Sequence, residues 1–473
     1  MKRVPLTGAG FLAVRGLALA LWVLAAAAQV RAGEGGGSLP ATSDASVPDL
    51  GTRRAGVDWP CFLGPGRDGK SPERGLRASW PSSGPRLVWE RRIGEGYAIG
   101  AVSRGRYLHF DRHGDLARLT CMKSETGEEL WRFEYPTDYR DAFGYDGGPR
   151  CSPVVDGDRV YTLGPEGMLH CLHVADGALI WKHDTTAEYR VVQSFFGVGS
   201  TPVVEGGLLI VHVGGSPPGG PDAFAGGVRG LDSGIVAFDA RTGKERYRAT
   251  DELAGYASPV CATIGGRRWG FAFARGGLVG LEPATGAVDF RFPWRARMLH
   301  SVNAANPVVV GDRVFITEAY GVGGALLRVR PGGCEVVWKD EPGREHAMAS
   351  HWSTPIHVDG FLYGSSGRHR SEAELRCVEL GSGRVRWRAP GLTRCSLLHV
   401  DGHFVCLGED GVLRLVKVDP ERHVEVSRVV LKSPDGEPLL RDPAWAAPIL
   451  SHGLLYVRGR DRLVCLEAIP EGR

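Results

Sequence analysis

At 473 residues the chain is longer than one hydrophobic core ordinarily organises, so it divides into domains or is built from repeats. Its 68 glycines and 30 prolines, with β-branched and aromatic residues in short runs between them, describe many short strands joined by turns. The formal charge of +3 is small for this length and excludes a strongly basic surface of the kind nucleic acids or anionic membranes attract.

The first 32 residues differ in kind from the rest. Lys2 and Arg3 precede an apolar stretch from Gly16 to Ala28, and Val30-Arg31-Ala32 forms a small-residue cleavage site. This pattern predicts an export signal over residues 1–32, and with it a periplasmic or extracellular location. The apolar stretch falls short of the ~20 residues of a spanning helix, so no stable membrane span is expected in the mature chain. Four basic and no acidic residues leave with the signal, which takes the formal charge from +3 to −1. Residues 33–55, rich in Gly, Ser, Ala and Pro, are expected as a flexible leader.

From residue 56 onward one pattern recurs: a small residue with Pro, an apolar pair, a Gly turn, an apolar strand, then a third strand ending in Thr-Gly or Asp-Gly with an aromatic four residues later. Ser152-Pro153-Val154-Val155-Asp156-Gly157 with Trp181, and Thr201-Pro202-Val203-Val204-Glu205-Gly206 with Tyr247, show it plainly. The same frame returns at Val102, Pro259, Pro307, Pro355, Leu397 and Pro448, a period of roughly 50 residues that suits one four-stranded propeller blade. Eight anchors predict an all-β, eight-bladed β-propeller over 56–468, followed by a short tail at 469–473. The unit at Leu397 lacks both the Pro and a closing aromatic, so seven regular blades plus an irregular one is the nearest alternative. The last unit ends after its third strand, and Leu87-Val88-Trp89 can supply the fourth, closing the ring and removing exposed edges.

Glycines in Glu125-Thr126-Gly127 and Asp239-Ala240-Arg241-Thr242-Gly243 occupy tight hairpins that require positive φ. The aromatics after these turns are read as packing anchors between neighbouring blades. Of the ten cysteines, Cys121, Cys171, Cys377 and Cys465 share one third-strand position in different blades and are read as small buried apolar residues. Cys395 and Cys406, on opposite strands of one hairpin, are the pair best placed for a disulfide.

These units resemble the tryptophan-docking repeats of the quinoprotein alcohol dehydrogenase-like superfamily. Asp58-Trp59-Pro60-Cys61-Phe62-Leu63-Gly64-Pro65-Gly66-Arg67-Asp68-Gly69 resembles the opening of planctomycete-type exported pyrroloquinoline-quinone (PQQ)-like repeat proteins, a group often described as BamB-like. The resemblance implies the propeller fold and leaves two functions open, because the superfamily holds both enzymes and binding scaffolds. Its quinone dehydrogenases use PQQ with calcium, commonly beside an adjacent pair of cysteines, and some carry C-x-x-C-H. Neither motif occurs here, no catalytic or metal residue is assigned, and the expectation is a non-enzymatic binding or assembly scaffold of the cell envelope. The alternative is a PQQ-dependent or cryptic oxidoreductase.

Antiparallel blades place the first-to-second and third-to-fourth strand turns on one face, and the second-to-third loops and blade connectors on the other. Turns on the first face are minimal, as at Asp156-Gly157, Asp359-Gly360 and Asp401-Gly402. Loops on the second are long and chemically rich, including 136–150, 194–200 and 214–234, and elaborated loops on a rigid scaffold are where function resides. The ligand site is therefore expected there, from Arg297, Asn303, Asn306, Glu318, His351, Arg368, His369 and Arg394. Guanidinium, amide and imidazole groups with a single Glu fit an envelope protein or a small acidic or sugar-like ligand.

Overall fold

Every repeat but the last folds as four antiparallel strands in chain order; Ala101–Ser103, Arg106–His113, Leu116–Lys123 and Glu129–Pro136 make the first. The computed structural model describes residues 47–191, 195–216, 230–298, 301–343 and 345–471. The expected export signal, Ser194, and most of the Gly/Pro-rich loop after Gly214 lie outside them. Eight sheets of this kind form an eight-bladed β-propeller. The unit at Leu397 is a full blade, with strands Cys395–Val400, His403–Gly408, Val412–Lys417 and Val424–Val430, so the seven-plus-one alternative falls away.

The ring closes as the incomplete last repeat requires. Arg86–Arg92 pairs antiparallel with Arg462–Glu467, Leu87 opposite Leu466 and Trp89 opposite Cys465, as the outer strand of blade eight. Residues 47–55, from the stretch expected as a flexible leader, are tied to the same seam: Arg53 bonds Glu125 at 2.6 Å and Glu467 at 3.2 Å.

One device joins the blades. In every blade the pairing of the third and fourth strands slips by one residue, and this bulge re-aims the aromatic that follows it. The aromatic sits opposite a third-strand side chain on its own sheet: Trp131 opposite Cys121, Trp181 opposite Cys171, Trp387 opposite Cys377. It also reaches the next blade. Trp131 Nε1 donates to Val174 O at 3.2 Å, Trp181 Nε1 to Ala240 O at 3.1 Å, and Trp338 Nε1 to Leu380 O at 2.7 Å. Each of these rings packs on the turn glycine of that next blade, so a Cβ on Gly177 would lie 2.5 Å from Trp131. The recurring cysteines are thus small partners beneath the docking rings, buried and unbonded.

Blade seven has Ser427 where the others have an aromatic. The segment before the ring fills the gap: Trp80 N donates to Ser427 Oγ at 3.1 Å, Ser427 Oγ donates to Ala78 O at 3.1 Å, and the Trp80 side chain packs on the adjoining core. Cys395 and Cys406, the pair best placed for a disulfide, are free thiols. Cys395 faces Gly408 and Cys406 faces Leu397, so the two sulfurs meet diagonally across the hairpin.

An inner belt links the blades at the connector ends. Ser152 N donates to Thr201 Oγ1 (3.1 Å), Thr201 N to Ser258 Oγ (3.0 Å), Ser258 N to Asn306 Oδ1 (2.8 Å) and Asn306 N to Thr354 Oγ1 (2.9 Å). These are the small residues before each Pro. The following ring forces them extended, and the side-chain oxygen satisfies an otherwise orphaned N–H of the preceding blade.

The Asp58–Gly69 motif lies across the tight-turn end of the channel. Trp59 exchanges two backbone bonds with Val102, Pro60 O accepts from Val155 N, Arg67 donates to Val204 O, and Gly69 O accepts from His399 N. Lys70–Ser71 then pairs parallel with blade seven, and Glu73 accepts from His452 N and Gly453 N in blade eight. One segment therefore bonds blades one, two, three, seven and eight and plugs that end.

Candidate functional site

The plug turns the channel into a blind cup of about 420 Å³ that opens on the loop-rich face. Phe62 and Leu63 of the plug form its floor, and Thr201, Ser258, Thr354 and Ser396 form a polar girdle in its wall. Above the girdle the lining follows the repeat. The residue three positions before the anchor of each unit lines the cup in all eight blades: Ile99, Arg150, Gly199, Tyr256, Ala304, Trp352, Arg394 and Trp445. Eightfold geometry points one register position inward, and sequence variation at that position sets the chemistry.

Aromatic rings form the rim. Tyr256 contacts Phe196 (centroids 5.8 Å apart), Phe196 contacts Phe143 (5.6 Å) and Tyr145 (6.0 Å), and Tyr145 contacts Trp445 (6.3 Å). The chain of contacts continues through Trp352 (5.2 Å from Trp445), His351 and Tyr320. Phe143 and Tyr145 are 54% and 58% exposed, which puts large apolar surface at the mouth rather than in a core.

Arg394 is the hub of the polar side. Its guanidinium lies 4.6 Å from the Trp352 ring centre and 5.5 Å from that of Trp445, and bonds the buried Glu409 at 2.6 Å. Trp445 Nε1 also donates to Glu409 at 3.0 Å. Burial works to raise the Glu409 carboxyl, but the hydrogen bonds from Arg394 and Trp445 outweigh it and hold the group below its ordinary range. Arg394 Nη1 reaches both Arg368 O (3.1 Å) and His351 Nδ1 (3.3 Å). A guanidinium only donates, so Nδ1 accepts and the His351 proton sits on Nε2, directed at Tyr320 Oη 2.9 Å away. Burial, with Arg394 and Arg368 nearby, pushes His351 down to about 3, so the ring is neutral at physiological pH. Arg150 bonds Asp141 at 2.6 Å, together with the Gly148 and Asp146 carbonyls, and shapes the loop that carries Phe143 and Tyr145.

Of the expected site residues, the structure brings His351, Arg368, His369 and Arg394 together in the lining. Glu318 stands behind Tyr320, its oxygens accepting from Tyr320 N (2.7 Å) and Val322 N (3.0 Å), with burial raising the carboxyl to about 7. Asn303 holds the wall from outside: its Nδ2 donates to Ala274 O and Trp294 O, and its backbone carbonyl accepts from Tyr256 N and Ala257 N. Asn306 belongs to the inner belt, and Arg297 is exposed and outside the lining. Sequence reasoning missed Tyr97, Tyr256, Glu409 and Trp445. The readable signal for Tyr256 and Trp445 was their shared distance from Pro259 and Pro448.

The family model described as outer membrane protein assembly factor BamB matches residues 84–389. The chain belongs to that family. Relatives include BamB of Burkholderia pseudomallei (strain K96243), 26% identical over 44% of this chain and 45% of that protein. Another is polyvinylalcohol dehydrogenase of Pseudomonas sp, 27% identical over 52% of this chain and 35% of that protein. The chain thus spans less than half the length of these curated relatives. Among solved structures, BamB from Moraxella catarrhalis superposes with TM-score 0.54 at 14% identity, covering 81% of this chain and 97% of that one. Quinohemoprotein alcohol dehydrogenase from Comamonas testosteroni gives 0.61 at 12% identity, covering 88% and 81%. At these identities the likeness speaks for the propeller alone.

The calcium-bound quinone that the superfamily resemblance implies does not fit this donor set. Calcium needs several oxygen ligands, commonly carboxylates, and among the described residues no Asp, Glu, Asn or Gln side chain lines the cup. Asp141 and Glu409 are engaged by arginines, and among the described residues no group of three His, Cys, Asp or Glu is placed to hold a metal.

Proposed function

We propose that this BamB-family propeller is a non-enzymatic binding or assembly scaffold of the cell envelope, exported by its N-terminal segment, that presents its loop-rich face to a protein partner. The observation carrying this reading is the cup itself: eight blades each contribute one inward residue, and exposed Phe143 and Tyr145 extend the apolar surface to the mouth. Aromatic anchors at the centre of a surface, with arginines beside them, are the composition of protein-binding hot spots. Membership in the BamB family supports an envelope partner, and no helix among the described residues is long and apolar enough to cross a membrane.

The test places a photo-cross-linking amino acid at Tyr145 on the loop-rich face and at Asp359 on the tight-turn face, in the source cells. A discrete envelope protein captured from Tyr145 and absent from Asp359 supports the scaffold. Equal capture at both positions, or none, removes it. The oxidoreductase reading draws on the dehydrogenase relative, and stoichiometric, calcium-dependent uptake of PQQ by the purified protein would favour it.

A further inference from the structure

The depth of the cup narrows what enters it, an inference that rests on reading the cup as the binding site. Connectors entering four blades line it at two levels: the residue three positions before the anchor, and the residue one position before it, which lies deeper. Blade four thus carries Tyr256 above Ser258, and blade six carries Trp352 above Thr354. Blade seven carries Arg394 above Ser396, and blade three Gly199 above Thr201. Two residues of extended chain separate the levels by about 7 Å. Rings stand at the upper level, where Phe196 contacts Tyr256 and Tyr145 contacts Trp445. The lower level carries hydroxyls, and the floor beneath it is apolar.

The inner belt sets what each hydroxyl has left to give. Thr201, Ser258 and Thr354 each accept a main-chain N–H of the preceding blade. A hydroxyl that accepts in this way keeps its own proton, and among the described residues no acceptor takes it. Ser396 is the reverse case: its Oγ donates to Trp445 O at 2.8 Å, which leaves its lone pairs for an incoming donor. The lower level therefore offers three donors and one acceptor above the floor. A phenyl ring there would deprive all four of water and return nothing. A carboxylate, carbonyl or ether only accepts, and an ammonium only donates, whereas a hydroxyl does both. Serine and threonine carry theirs on the first side-chain carbon, too short to pass from the upper level to the lower; a phenol spans the gap. We infer that the cup takes a phenol, hydroxyl first, its ring between the aromatic walls and its oxygen among Thr201, Ser258, Thr354 and Ser396. A tyrosine of a partner's chain and a free phenol share this chemistry.

Isothermal titration calorimetry of the full chain tests this with four probes: N-acetyltyrosinamide, its O-methyl ether, N-acetylphenylalaninamide and p-cresol. The tyrosine amide is expected to bind about tenfold tighter than the phenylalanine amide, the ratio one hydrogen bond supports, with the ether between them because it cannot donate. Ser258→Ala with Thr354→Val should bring the tyrosine and phenylalanine amides to parity. Thr354→Ser keeps the belt bond and the proton and should preserve the preference, which separates loss of the hydroxyl from damage to the belt. Ser396→Ala leaves the belt intact and should abolish only the advantage over the ether. Binding of p-cresol as tight as that of the tyrosine amide assigns the phenol to a small molecule; weaker binding assigns it to a partner's chain. Tyrosine and phenylalanine amides of equal affinity for the unaltered protein overturn the phenol and leave the binding site standing. No uptake of any probe removes both.

Discussion

The indole of Trp131 packs against Gly177 of the following blade so closely that any β-carbon there would lie 2.5 Å from the ring. The same glycine has φ of 75°, so two separate constraints meet on one residue. Gly157, at φ 59° with nothing within 4 Å of its missing Cβ, carries only the backbone constraint. Gly157→Ala is expected to cost about 1–2 kcal/mol, the left-handed penalty. Gly177→Ala should cost a further ~1–3 kcal/mol from overpacking. Urea unfolding of the two variants side by side checks this, and equal costs would mean that ring docking does not constrain the turn.

Ring closure makes a second expectation. Trp89 is buried and donates to Ser124 O at 2.9 Å, so Trp89→Ala should lower stability by about 3–5 kcal/mol. Removing residues 84–92 exposes the whole edge of Arg462–Glu467 and should give aggregation in size-exclusion chromatography. A monodisperse deletion variant with unchanged thermal unfolding would contradict the closure.

A pH-dependent latch holds the plug to blade eight. His452 Nε2 lies 3.1 Å from Asp58 Oδ1, while Nδ1 meets Arg54 O at 3.1 Å and Thr52 Oγ1 at 3.2 Å, with Glu73 bonded to the same turn. The Asp58 hydrogen bond raises the His452 pKa, and that partnership outweighs burial to lower the Asp58 pKa. The sign follows from linkage. The His452 contribution is complete below its ordinary 6.5 and is lost as pH rises through the elevated folded value. The Asp58 contribution is present above 3.8 and is lost on acidification. His452→Asn, which tolerates the φ of 51° at this site, should therefore destabilise most in the window between 3.8 and 6.5 and progressively less in alkali. Melting temperatures of both proteins across pH decide it; a constant difference would show that the latch does not titrate.

Glu409 is the foundation of the polar wall. Glu409→Met should remove the acceptor of both Arg394 and the Trp445 indole, shift tryptophan emission, and lower stability by about 3–5 kcal/mol, the cost of breaking a buried ion pair by removing one partner. Unchanged emission in the folded variant would mean that Arg394 and Trp445 are held by their other contacts.

The architecture was legible in the sequence because one frame recurs at eight anchors, six of them a Pro, with a Gly turn and in most units a closing aromatic. The bulge that re-aims each aromatic was not legible, since it is a slip of pairing and leaves no composition signal. Ser427 looked like a defect for the same reason; its partner, Trp80, lies 347 positions away in the chain. At the site, His351, Arg368, His369 and Arg394 were readable as polar residues on elaborated loops. Asn303 and Asn306 looked equally eligible, yet backbone groups around the channel consume them. Glu409 was hidden by its position just after a second strand, where an acidic residue reads as a turn former until Arg394 is seen against it.

The plug and the closing strand also order events in time. Leu87 and Trp89 are synthesised before their pairing partners Leu466 and Cys465, and Asp58 before His452. The closing strand Arg86–Arg92 has no partner until the last blade exists, so it must remain uncommitted while the intervening blades are made. Translation that stops short of the final strand forfeits two things at once: the sealed ring and the His452 anchorage of the plug. Formation of the last blade is thus the event that locks the plug, and the floor it carries, to both sides of the closing seam.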